Sequence, residues 1–264
     1  MTKEEILEAI SKSGYLFESE IVKHLSNSGY FVDSNVVFKD PLTLKNREID
    51  IVAETYDNTE MGLSTKIRYF FELKNNSYPL VLLTELQFNP NTPEEIIKEI
   101  ITVPQNIKYD LSDGYWNDLQ YNNFPLFTQY CSFIKKGNNE IMATHPDELY
   151  TSLNKLCWYC EDEFRNHMEL FDEMSTKYFR HWLYLPVLLI NDDLYELTIE
   201  DGKSQLQEVP FSKLMVNFHY NDNPTSTIIY VVTKSYLNEF LQDMNILEQK
   251  ISNEMRAAVN GNYS

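Results

Sequence analysis

Glycine is scarce in this chain, 7 in 264 residues, and neither a G-x-G-x-x-G fingerprint nor a P-loop occurs. A phosphate cradle built on a glycine-rich loop is therefore not expected. Cysteine is scarcer still. The three residues are an odd number, which argues against a disulfide framework and for a reducing compartment. No apolar run approaches the roughly 18 residues needed to cross a bilayer. The opening Met1-Thr2-Lys3-Glu4-Glu5 reads as a polar helix start, not an export segment. These absences predict a soluble, cytoplasmic protein with no membrane partner.

Positive charge is also short. The formal net charge is −18, so a basic surface that holds nucleic acid nonspecifically is not expected. The deficit is uneven. Residues 1–80 hold 9 Lys and Arg against 13 Asp and Glu, a balance of −4, while the remainder hold 13 against 27, a balance of −14. The first third is the part least repulsive to a polyanion, and the acidic remainder suits a protein partner or a second copy of the chain.

What is abundant is bulky core material, with 18 Tyr and 15 Phe. A chain of this length buries a sizeable core without a metal or disulfide staple. The patterning predicts helices over 3–12 and 17–28, the second ending near Gly29, and a strand around Val36–Phe38. In Arg47–Ala53, Ile49, Ile51 and Ala53 alternate with Glu48, Asp50 and Val52. After a polar turn, Ile67–Lys74 puts Tyr69, Phe71 and Leu73 on one face and Arg68, Phe70, Glu72 and Lys74 on the other. Two such strands joined by one loop predict an antiparallel pair.

Between Pro79 and Pro125 lie five of the 10 prolines among asparagine-rich pieces. The segment from about 79 to 130 reads as an irregular insertion, with one helix near Glu94–Thr102. A long helix follows Pro146 through Leu149, Leu153, Leu156, Tyr159 and Phe164. Leu185–Ile190 is predicted to form a hairpin with Leu194–Ile199 across Asn191-Asp192-Asp193. Strands at Leu214–Tyr220 and Thr227–Val232 and a closing helix over Lys234–Val259 complete one α/β domain. Its core spans 1–80 and 131–264, a mixed sheet flanked by helices.

Asp50 and Glu72 carry the candidate chemistry. Each is a hard oxygen donor in an otherwise apolar strand, suited to Mg²⁺ or Mn²⁺. Lys74 emerges on the face of Glu72, placed to orient a water and to stabilise developing negative charge. The Leu73 carbonyl between them is a further candidate metal ligand. Taken singly, each has a plainer explanation. Glu72 and Lys74 fit the wet face of a half-exposed strand, and Asp50 fits an ion pair with Arg47 or Arg68. Cys157-Trp158-Tyr159-Cys160 falls inside a helical pattern and reads as buried core cysteines. The five histidines form no catalytic triad with an acid and a nucleophile.

The order of a helix bearing Glu18, a strand bearing Asp50 and a strand bearing Glu72-Leu73-Lys74 resembles the PD-(D/E)XK nuclease superfamily. The likeness covers about the first 80 residues and includes Arg47-Glu48-Ile49-Asp50, with isoleucine where the family's name has proline. It implies a restriction endonuclease-like fold and a Mg²⁺- or Mn²⁺-dependent endonuclease acting on DNA, with RNA left open. Asp50 and Glu72 would bind metal, Lys74 would act on water, and Glu18 or Glu20 would be the supporting helix carboxylate. The alternative is a catalytically inactive nuclease-fold module that binds protein partners.

Overall fold

Thr2 explains why the chain begins as a helix. Its hydroxyl accepts from the Glu5 N–H, and the Glu5 carboxylate accepts from the Thr2 N–H. In the computed structural model this cap opens α1 (Lys3–Ser13), which ends at Gly14 with a φ of 87°. The same glycine starts α2 (Tyr15–Asn27). The left-handed φ is what requires glycine there, because an added Cβ would meet nothing closer than the Asn75 Cβ at 3.7 Å. The structure describes residues 1–41, 43–55, 62–76, 78–86, 97–109, 125–137, 140–172, 178–191 and 193–261.

Three strands follow as an antiparallel meander: β1 (Phe31–Lys39), β2 (Asn46–Glu54) and β3 (Leu63–Lys74). Asp40 ties the β1–β2 connection, accepting from the Thr43 N–H at 2.9 Å and from Arg47 Nε at 3.2 Å. Next come β4 (Leu80–Leu86), β5 (Lys98–Thr102), β6 (Leu126–Lys136) and β7 (Glu140–Thr144), then α3 (Asp147–Asp172). The chain ends with β8 (Phe179–Ile190), β9 (Leu194–Glu200), β10 (Lys203–Val209), β11 (Phe211–Tyr220), β12 (Asn223–Thr233) and α4 (Leu237–Val259).

The central strand is β8. Along one edge it pairs in parallel with the whole of β3, from Leu63↔Phe179 to Lys74↔Ile190. Its other edge is shared, with β5 antiparallel along Arg180–Tyr184 and β12 parallel along Val187–Ile190. Pro186, which has no N–H to donate, falls between those two segments, where its absence costs no ladder bond. The main path runs β1-β2-β3-β8-β12-β11-β6-β4-β9-β10.

Two apolar layers sandwich this mixed sheet. On one face, Phe17, Ile21 and Leu25 of α2 and Phe240, Met244 and Leu247 of α4 pack against Tyr69, Phe71 and Val187. On the other, Leu153, Leu156, Cys157 and Cys160 of α3 pack against Phe70, Leu188 and Val231. Both faces of β3 are therefore buried, as a strand in the middle of three layers requires. Fully burying a side chain such as Phe70 or Phe71 contributes about 1.5–3 kcal/mol. The two helical cysteines are free and buried, and burial pushes both thiols up, as suits core residues. Among the described residues no helix is long and apolar enough to cross a membrane.

Four sequence expectations are corrected. The segment expected to be an irregular insertion supplies β4, β5 and the start of β6 to the sheet, although residues 87–96 and 110–124 lie outside the described residues. Of the helix expected near Glu94–Thr102, residues 98–102 form a strand, held as β5 by the open edge of β8. The expected hairpin between Leu185–Ile190 and Leu194–Ile199 does not form. Both edges of β8 are occupied, so β9 pairs in parallel with β4 and antiparallel with β10. Ile49 also departs from simple alternation. It packs with Val52 under α3 while Ile51 and Ala53 face the opposite layer.

Candidate active site

β2 and β3 run as a ladder whose last rung is Ile51↔Phe71. One residue further, Asp50 and Glu72 stand at the same level on the two strands. There a side chain replaces the backbone rung, with the Leu73 N–H donating to Asp50 Oδ2 at 2.7 Å. This bond fixes the Asp50 carboxylate against β3. The N–H and C=O of one strand residue point toward the same neighbour, so the Leu73 carbonyl also faces the Asp50 side.

Glu72 lies on the α3 face of β3, two residues beyond Phe70, and its side chain is only 3% exposed. A carboxylate so buried needs cationic partners. Lys74, two residues on and on the same face, supplies one at 3.1 Å from Oε1. The other is Lys155, from the third turn of α3. Its ammonium pairs with Glu72 Oε2 and lies 3.5 Å from Asp50 Oδ1, bridging the two carboxylates.

Glu18, in the first turn of α2, accepts from Asn35 Nδ2 at 3.2 Å. Partial burial raises its carboxyl above the usual range, and the nearby charges of Asp50, Glu48 and Glu72 add to the shift. It therefore sits within the electrostatic field of the carboxylate pair without a direct bond to it. Glu20 is directed elsewhere and pairs with Lys234 at 2.7 Å. The helix carboxylate facing the site is Glu18. Asn75 Nδ2, donating to the Ser11 carbonyl at 3.0 Å, ties the end of β3 to the end of α1.

The ordinary partners that Asp50 might have taken are engaged elsewhere. Arg47 pairs with Asp40, and Arg68 pairs with Glu54 and Glu163. Of Lys12 and Lys23, the plain partners open to Glu18 as an exposed helix residue, Lys12 pairs with Glu8. The structure thus brings together Asp50, Glu72, Leu73 and Lys74, with Glu18 nearby, and adds Lys155, which the sequence reading missed. A signal for Lys155 existed. Ser152, Lys155 and Tyr159 recur at helical spacing along the inward stripe of α3, although a lysine there commonly only lays its stem on the core.

Among the described residues no group of three or more His, Cys, Asp or Glu side chains converges on a metal position. The oxygens that could hold an ion are instead two carboxylates and a carbonyl, all hard donors. That chemistry fits Mg²⁺ or Mn²⁺, which retain several waters, and does not fit a zinc site of nitrogen and sulfur donors. Beside Lys74 opens a cleft of about 640 Å³, whose lining includes Lys12, Asn75, Phe133, His145 and Leu149. Two clefts of similar size, one beside Tyr30 and Glu248 and one beside Lys98 and Glu161, lie away from these side chains. Contact with Lys74, not volume, distinguishes the first cleft.

A polar relay also runs through β8, with Tyr109 Oη 3.0 Å from His181 Nδ1 and His181 Nε2 2.9 Å from Glu99. His181 is wholly buried and serves the packing of that end of the sheet. In comparisons with protein-family models, curated proteins and solved structures, the chain matches none.

Proposed function

We propose that this chain is a metal-dependent phosphodiesterase of the PD-(D/E)XK kind, with a restriction endonuclease-like core, that cuts DNA. One observation carries the reading. Asp50 and Glu72 stand level on adjacent strands, with Lys74 two residues beyond Glu72 on the same face. The succession α2, β1, β2, β3, α3, β8, with the first three strands antiparallel and β8 parallel to β3, supports the same fold assignment.

In this reading Asp50, Glu72 and the Leu73 carbonyl hold the ion, and Glu18 supports the shell by its charge. A bound Mg²⁺ or Mn²⁺ neutralises phosphate charge and makes water a better nucleophile at neutral pH. The chain supplies the rest. Lys74 orients the attacking water and stabilises charge that develops on the phosphoryl oxygens. The cleft beside Lys74 accepts the scissile strand, where Lys12, exchanging its exposed pair with Glu8, contacts a phosphate and Phe133 and His145 offer faces for bases.

A second reading is favoured by Lys155, which together with Lys74 already neutralises both carboxylates. Under it the protein is a catalytically inactive nuclease-fold module that works through protein partners on its acidic surface. The deciding experiment incubates plasmid, linear and single-stranded DNA and RNA with the protein in Mg²⁺ and in Mn²⁺, with Glu72→Ala as control. Metal-dependent cutting lost in the variant supports the nuclease. Equal, absent cutting by both proteins supports the inactive module.

A further inference from the structure

We infer that Lys155 is a tethered cation occupying the divalent-ion position of this site, so that a metal enters only by expelling its ammonium. The inference rests on the metal-dependent reading above and adds a resident competitor built into the fold.

The four carboxylate oxygens provide the first argument, since each is already engaged by the chain itself. Glu72 Oε1 faces Lys74, Glu72 Oε2 and Asp50 Oδ1 face Lys155, and Asp50 Oδ2 accepts from the Leu73 N–H. The two bonds that do not involve Lys155 are compatible with a metal. Lys74 approaches Glu72 from its own strand, and the Leu73 N–H leaves Asp50 Oδ2 a further lone pair. Lys155 alone lies between the two carboxylates, where a shared ion must sit.

Charge provides the second argument. Two carboxylates and two ammonium groups sum to zero, so a divalent ion entering with both lysines in place would meet uncompensated negative charge only from the more distant Glu18 and Glu48. Moving Lys155 outward restores the charge that a divalent ion needs. The third argument is mechanical. α3 is anchored by buried Leu153, Leu156 and Cys157, whereas the Lys155 side chain is 15% exposed on a flexible four-carbon stem. The ammonium can therefore leave while the helix stays. Lysine suits this role better than arginine, whose planar fork would hold both carboxylates bidentately.

The test is calorimetric titration of Mn²⁺ into the wild-type protein and into Lys155→Met, with circular dichroism to verify folding. Binding by Lys155→Met is expected to be at least tenfold tighter. A parallel measurement needs no variant: the wild-type chain is acetylated with an N-hydroxysuccinimide ester, with and without saturating Mn²⁺, and Lys155 is quantified by mass spectrometry. Lys155 should label slowly in the metal-free protein and several-fold faster with Mn²⁺. If the variant binds no more tightly than wild type, or Lys155 labelling stays constant while Mn²⁺ saturates, the competitor is overturned and the metal site stands. If neither protein binds Mn²⁺, the inference and the metal-dependent reading fall together. Should the variant fail to fold, the labelling experiment decides alone.

Discussion

The contact between Glu72 and Lys155 permits a quantitative prediction without any assay of activity. The perturbation is a double-mutant cycle of Glu72→Gln and Lys155→Met. The side chains are 3% and 15% exposed and in direct contact. Unit charges about 4 Å apart attract by roughly 4 kcal/mol at an effective dielectric constant near 20. Desolvation of both groups offsets part of that gain. Each single substitution also leaves its abandoned partner with a second neighbour, Lys74 for Glu72 and Asp50 for Lys155. Each single variant should therefore lose about 2–3 kcal/mol, below the roughly 3–5 kcal/mol typical when a buried pair is broken outright. The double variant should lose about the same as either single one, leaving a coupling of about 2 kcal/mol. Urea unfolding followed by circular dichroism at pH 7 and low salt measures all four proteins. Losses in the double variant that equal the sum of the singles within about 0.5 kcal/mol would refute the bridging role of Lys155.

Three further outcomes are expected. Lys74→Ala should lower DNA cleavage at least about a hundredfold while changing stability by less than roughly 1 kcal/mol, because the side chain is 30% exposed and Glu72 keeps Lys155. Plasmid nicking and thermal melting measure the two effects, and wild-type cleavage would remove Lys74 from the mechanism. Glu18→Gln should slow cleavage about tenfold by withdrawing a charge from the site, whereas Glu20→Gln, which only breaks the exposed pair with Lys234, should leave the rate unchanged. Equal effects of the two would mean that the helix carboxylate is misassigned. His167, half-buried with its ring against Arg68 and Tyr184, is pushed down to about 4 by burial and then by the charges of Arg68 and Lys66. The unfolded chain binds this proton near pH 6.5 and the folded chain only near 4, so stability should fall as pH drops through that window. His167→Gln should flatten that part of the pH–stability curve, and an unchanged slope would show that the ring is already protonated in the fold.

Much of the fold was legible because short-range periodicity reports directly which residues share a face. The alternation at 67–74 assigned Tyr69, Phe71 and Leu73 to one layer and Phe70 and Glu72 to the other, and the packing agrees. The long helix after Pro146 and the antiparallel pairing of β2 with β3 were equally readable. The pairing of the later strands was read less well. Asp201-Gly202, with φ values of 50° and 75°, turns β9 into β10, a dipeptide signal for a tight hairpin that the sequence reading passed over. Asn221-Asp222 makes the corresponding turn between β11 and β12. The expected β8–β9 hairpin failed because adjacency in sequence says nothing about whether an edge is free. β3, β5 and β12 had already taken both edges of β8.

The candidate site divides along the same line. The sequence alone determined that Glu72 and Lys74 share a face, because strand side chains repeat every two residues, and that Asp50 belongs to the neighbouring strand. Tertiary structure decided the rest. It matched Asp50 to the level of Glu72 through the Leu73 N–H, turned Glu18 toward the site and Glu20 toward Lys234, and delivered Lys155 from a helix more than eighty residues downstream. Local periodicity specifies the direction in which a side chain leaves the backbone. Its partner is chosen by packing, which brings distant segments together where buried charge must be neutralised.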